Sequence, residues 1–184
     1  MTGFTTIDKL IPINVAQIKS SKLVAEVAVT IAGIVYGVAN YINNQIQAPL
    51  NFESSWLATV FVPLLFIVGG VAMAFITRLG IVGVYWAMAR MLGGPGRVGR
   101  LYHTTGTGFL FFWPWGLLLL TGTLLPIVAY LLVAAVVVCS ALGIGYLTRE
   151  LGQTQQFSTF RSIIAIILTV VFMVSVYYLI LPQG

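Results

Sequence analysis

The sequence predicts an all-α fold: a polytopic transmembrane bundle of five helical spans, N-terminus cytoplasmic and C-terminus outside. Three observations predict it. Apolar residues make up 59% of the 184-residue chain and charged residues only 7%, against roughly 25% charged in a soluble domain. The apolar residues fall into blocks near the ~20 positions that cross a bilayer. Taken as five spans, those blocks put every lysine and arginine on one set of alternate connections. So few charges cannot clothe a water-facing surface, and a mean hydropathy of +1.02 implies that lipid covers most of the exterior. One domain is expected, a transmembrane unit over residues 23–182, preceded by an interfacial segment.

That segment, residues 1–22, mixes apolar positions with Lys9, Lys19 and Lys22, and Pro12 interrupts any helix in it. It is expected to lie at the cytoplasmic membrane surface with its lysines among the headgroups. It does not read as a cleaved leader, because the first apolar run starts after Lys22 and exceeds an h-region of about 7–15 residues. Span one covers 23–42. A polar loop with Pro49 follows, and apolar sequence resumes from Trp56 to Leu92. As one helix that run is on the order of 55 Å long, against about 30 Å of hydrocarbon. We read a second span over 56–77 and a helical extension over 78–92, leaning along the inner interface or into the bundle. Gly80 and Gly83 permit a bend, and Gly93-Gly94-Pro95-Gly96 stops the helix. The third span covers 107–125 and is expected to kink at Pro114. A tight reversal at Thr121-Gly122-Thr123 leads to span four, 127–147. A polar stretch, 148–161, precedes span five, 162–181.

This segmentation was not built on charge, yet charge tests it. Lys9, Lys19, Lys22, Arg78, Arg90, Arg97, Arg100, Arg149 and Arg161 all fall on the N-terminal side, and none on the other. The positive-inside rule then places the N-terminus in the cytoplasm. Splitting 56–92 into two spans would invert everything after it. Arg78, at the junction of span and extension, is expected to snorkel to the interface, since at a bilayer centre it costs roughly 2.5–3.5 kcal/mol.

Lipid gives no hydrophobic drive between spans, so small residues that let backbones approach become informative. Gly33 and Gly37 form a GxxxG in span one. Ala135, Cys139 and Gly143 repeat every four residues in span four, as do Gly70 and Ala74 in span two. These read as packing seams within the bundle, with a dimer or partner seam as the sharper alternative.

Chemistry-bearing residues are few. Glu26 is an acid near the start of span one, expected to pair at the interface with Lys22, Arg78 or Arg90; the alternative is proton or cation handling. Arg90, Gly93, Gly94, Arg97 and Arg100 form a glycine-rich basic loop suited to lipid headgroups. It lacks the Gly-Lys-Ser/Thr of a Walker loop. His103, the single histidine, reads as an interfacial residue or, more sharply, as an axial ligand of a tetrapyrrole shared with partner subunits. Cys139, the single cysteine, excludes an intrachain disulfide and reads as packing. Trp113 and Trp115 flank Pro114 and read as packing against a neighbour or lipid. No acid, base and nucleophile converge in this sequence, so no enzyme is expected. The net charge of +5 is dispersed, without the basic face of a nucleic-acid binder.

The stretch from Tyr85 through Arg90, Met91, Leu92, Gly93 and Gly94 to Gly96 resembles a pattern of the Yip1 domain family. There a long second membrane helix ends in an arginine-containing turn and a Gly-Gly. Pro95 stands here where a basic residue is commoner. Pro114 in the third span, the tight third-to-fourth connection and the polar loop ending at Arg161 fit the same layout. The resemblance implies five membrane helices and a cytoplasmic N-terminus. Eukaryotic members act in vesicle trafficking and contact small GTPases; prokaryotic relatives have no defined activity, and no member is an established enzyme. The GTPase role rests partly on an N-terminal cytoplasmic region that is short here, so it is not carried over.

The expectation is therefore a non-catalytic, Yip1-like protein of a prokaryotic cytoplasmic membrane that organises lipid or partner proteins. No cofactor of its own is expected beyond bound lipid or a shared pigment. The alternative is a small accessory subunit of a larger energy-transducing or pigment-bearing complex; a transporter is the third class. The partners expected are membrane lipids and other membrane subunits or a second copy, not nucleic acid.

Overall fold

A computed structural model describes residues 22–47 and 56–180, and among them every regular element is helical. The expected interfacial segment before Lys22, most of the first loop and the last four residues lie outside the described residues. The elements are α1 (Lys22–Gln47), α2 (Val62–Met91), α3 (Val98–Phe112), α4 (Pro126–Gln155) and α5 (Thr159–Ile180). A π-helical turn, Leu57–Phe61, precedes α2, and a 3-10 segment, Trp113–Thr123, continues α3.

α1 is built inside out. Its buried positions are Ala25, Ala28, Val29, Ala32, Gly33, Gly37 and Ala39, a stripe at three- and four-residue spacing. The large side chains Leu23, Val27, Ile31, Ile34 and Val38 face outward. Small residues inside and large ones outside is the pattern of a helix whose neighbours are other helices and whose solvent is lipid.

The glycines show how closely the backbones meet. A Cβ on Gly33 would lie 2.6 Å from the Val71 Cα, and one on Gly37 would lie 2.9 Å from the Ile67 Cα and collide with the Phe66 carbonyl. One on Gly70 would lie 2.7 Å from the Gly37 Cα and collide with the Gly33 carbonyl. These pairs run in opposite directions along the two helices, so α1 and α2 are antiparallel. α3 runs with α1, because Gly106 faces Ala25 and Gly116 faces Tyr36. α4 returns, with Gly143 against Phe111 and Phe112, and α5 begins beside its end, where Gly152 meets Ser162. α1 therefore packs on α2, α3 and the 3-10 segment, while α4 covers α3 and joins α5.

Two prolines change the helix type rather than ending it. Pro63, without an N–H, sits at the first turn of α2, and the Val62 N–H reaches back to the Leu57 carbonyl. That five-residue reach widens the preceding turn into a π-helix. At Trp113-Pro114 the α-helix tightens into the 3-10 form, so the kink expected at Pro114 is a change of winding. α2 passes Gly80 and Gly83 as one α-helix.

Element bounds differ from expectation on the basic side. The third helix begins at Val98 rather than 107, and α4 runs on to Gln155, through half the stretch read as a polar loop. Both extensions have something to bury. Leu101, Tyr146, Leu147 and Leu151 form a core with Val82 and Tyr85 of α2 and Ile166 of α5. α2 then ends on two paired bonds: Gly93 N–H to the Arg90 carbonyl and Gly94 N–H to the Ala89 carbonyl. Gly93, at φ 82°, takes the left-handed position that this stop requires.

Candidate functional site

The polar node of the bundle is Arg78. It is fully buried, and this corrects the expectation that it snorkels. Its Nη1 donates to Glu26 Oε2 at 2.9 Å, and its Nε and Nη2 donate to the Tyr102 carbonyl at 3.1 and 2.9 Å. Its Cζ stands 3.5 Å from the centroid of the Tyr102 ring. A charge, a carbonyl with two lone pairs and a π face thus compensate the loss of water.

The neighbours explain why the arginine can turn inward. A Cβ on Gly106 would lie 2.6 Å from the Arg78 Cζ and 2.9 Å from the Ala25 Cβ. Only glycine leaves room for a guanidinium where α1, α2 and α3 converge. The Glu26 side chain keeps 42% of its surface exposed, so the pair is buried at one end and open at the other. Of the three partners expected for Glu26, the geometry selects Arg78.

The other candidate residues scatter. Gly33 and Gly37 face Gly70 within the chain. On α4, Gly143 is buried, Cys139 half-buried and Ala135 exposed, so that ridge turns from the core to the surroundings. In the glycine loop, the Gly96 N–H donates to Gln155 Oε1 at 3.0 Å, Gly94 packs on the Phe157 ring, and Arg90 lies along Gly96. Arg97 and Arg100 are exposed. His103 is half-buried, 5.8 Å from the Tyr102 ring, and its Nδ1 is buried without a hydrogen bond. Among the described residues no cluster of histidine, cysteine and carboxylates is arranged for a metal.

Sequence reasoning missed Tyr102 and Gly106, which hold Arg78, and the bond from Trp115 Nε1 to Ser140 Oγ at 2.8 Å. Gly106 had a weak signal, a small residue in a Thr-Thr-Gly-Thr-Gly run about one turn after Tyr102. It also missed a groove of about 320 Å³ lined by α1, α2, the end of α3 and the 3-10 segment. No family model, curated protein or solved structure matches this chain.

Proposed function

We propose that this chain is a non-catalytic, Yip1-like protein of a prokaryotic cytoplasmic membrane, crossing five times and organising lipid or partner proteins through its helix faces. The observation that carries the reading is the distribution of charge over the fold. Lys22 opens α1, Arg90 closes α2, Arg97 and Arg100 open α3, Arg149 lies near the end of α4 and Arg161 opens α5. Given the helix directions, these are one end of the bundle, and Arg78 is turned toward that end from inside. The opposite end carries no described cation. Three helices are long and apolar enough to cross a membrane alone; α3 with its 3-10 continuation, and α5, supply the other two crossings. The basic end faces the cytoplasm, with Arg90, Arg97 and Arg100 at the level of anionic headgroups.

Outward faces support a binding role. Tyr130, Leu131, Val137 and Val138 on α4, and Val170, Val171 and Val174 on α5, are exposed. Purification in mild detergent followed by native mass spectrometry tests the reading. A chain alone or self-associated, carrying phospholipid, is the expected result. Stoichiometric redox or pigment subunits would replace it with the accessory-subunit reading, which the exposed α4 and α5 faces also suit. Cation flux in liposomes abolished by Glu26→Gln would replace it with transport.

A further inference from the structure

The start of α3 carries its charges the wrong way round. A helix N-terminus presents unpaired N–H groups and the positive end of the helix dipole. It favours an oxygen-bearing side chain at the cap and an acid at the third helical position. Here Arg97 stands at the cap without a side-chain hydrogen bond, the first turn holds no acid, and Arg100 takes the third position. The Leu101 N–H bonds the Arg97 carbonyl, so the N–H groups of Val98, Gly99 and Arg100 come before the first helical bond.

A third cation arrives from α2. The Arg90 side chain crosses Gly96, where a Cβ would lie 2.7 Å from its Nε. Arg90 and residues 97–100 are all exposed. A Cβ on Gly99 would meet nothing within 4 Å, so the backbone of the first turn is open to a ligand. The loop before it is fixed, with the Gly96 N–H on Gln155 Oε1 and Gly94 against the Phe157 ring. Among the described residues no carboxylate pairs with Arg90, Arg97 or Arg100, and Glu26 is taken by Arg78.

Positive-inside placement asks only that cations lie somewhere on this side. It does not ask for two of them at the cap and third position of a helix, where they oppose the dipole. A conflict between local preference and sequence is expected at functional sites, and an anion at the helix start resolves this one. Met91 and Val98, beside these arginines in the chain, are 78% and 48% exposed. Apolar side chains bared next to cations suit a molecule with an anionic head and an apolar body.

We propose that the start of α3, with Arg90, Arg97 and Arg100, holds the phosphate of an anionic phospholipid of the cytoplasmic leaflet. Phosphate oxygens accept from the first-turn N–H groups and from the guanidinium groups. A zwitterionic headgroup brings a cation of its own to the arginines and binds more weakly. The inference names the lipid partner of the membrane reading above and rests on that reading.

Native mass spectrometry of the full chain tests it, with phosphatidylglycerol and phosphatidylcholine of the same acyl chains offered together in detergent. Phosphatidylglycerol is expected to stay at about one per chain, at least about tenfold tighter than phosphatidylcholine. Arg97→Gln/Arg100→Gln should lose that preference with unchanged helical circular dichroism. Arg149→Gln/Arg161→Gln, which removes the same charge from the same end of the bundle, should keep it. Arg100→Glu restores an acid at the third position, so it should melt no lower than the parent in lipid-free detergent and still lose the lipid. Equal losses in the two double variants would mean leaflet charge alone and overturn the inference. So would an Arg100→Glu variant that melts lower without lipid, which would make the arginine structural. Displacement of the lipid by an equal concentration of inorganic phosphate would make the ligand a free anion and overturn it too. Absence of any headgroup preference sinks this site alone, whereas thiol labelling of both bundle ends from one compartment sinks the membrane reading beneath it.

Discussion

Arg78 is held by groups that differ in what happens when one is taken away. Removing the acid by Glu26→Leu leaves a guanidinium buried with a carbonyl but no counter-charge, a situation that costs about 3–5 kcal/mol. Removing the base by Arg78→Met leaves Glu26, whose side chain is 42% exposed and can take up water. Thermal unfolding in detergent should therefore show Glu26→Leu as the more damaging single change. The double variant should be more stable than Glu26→Leu alone, because it strands no charge. An equal or larger loss in the double variant would mean the pair is not the node described. Gly106→Ala should cost about 1–3 kcal/mol by overpacking, since its methyl would meet the Arg78 Cζ at 2.6 Å. The pair itself was half legible: one arginine inside a long apolar run and one acid in span one invite each other. What the sequence could not show is that Tyr102 would supply a main-chain acceptor from a third helix, since every residue has a carbonyl and only the fold says which one is aimed.

Whole helices were legible as apolar blocks, and their directions follow from contacts between glycines. Gly70 and Gly80 stand on the same helix with opposite expectations. A Cβ on Gly70 meets α1 backbone, which cannot rotate aside, so Gly70→Ala should force α1 and α2 apart and cost about 1–3 kcal/mol. A Cβ on Gly80 meets nothing within 4 Å, and Gly80→Ala should be neutral or stabilise by up to about 1 kcal/mol. Comparing the two melting temperatures checks both; a similar loss in each would contradict the packing. Helix ends were harder to read. The run from 148 to 155 looks like loop because its composition is polar, but Leu151, Thr154 and Gln155 are buried, and burial on one face keeps the helix going past the apolar block. Composition reports where lipid ends, which is not where a helix ends.

For the molecule as a whole, described cations at one end and none among the described residues at the other bear on orientation. In a Cys139→Ser background, Gln47→Cys and Arg97→Cys place thiols at exposed positions on opposite ends. A membrane-impermeant maleimide should label Gln47→Cys in intact cells and Arg97→Cys only in inside-out vesicles. Labelling of both from one compartment would overturn the proposal of five spans. The positive-inside pattern is legible in the sequence because it depends only on which connection a residue belongs to. The groove is not, because its lining comes from α1, α2, α3 and the 3-10 segment, and no local pattern of residues records a gap.

The tight winding that starts at Trp113 has a consequence for measure. A 3-10 rung is about 2.0 Å high against 1.5 Å in an α-helix. The 15 residues of α3 and the 11 that follow therefore climb about 44 Å, which α4 descends in 30 residues over about 45 Å. Unequal numbers of residues finish level, like ladders with different rung spacing leaning on one wall. Rewound as α-helix, the ascending side would stop about 5 Å short, and the indole of Trp115 would slide out of step with the hydroxyl of Ser140.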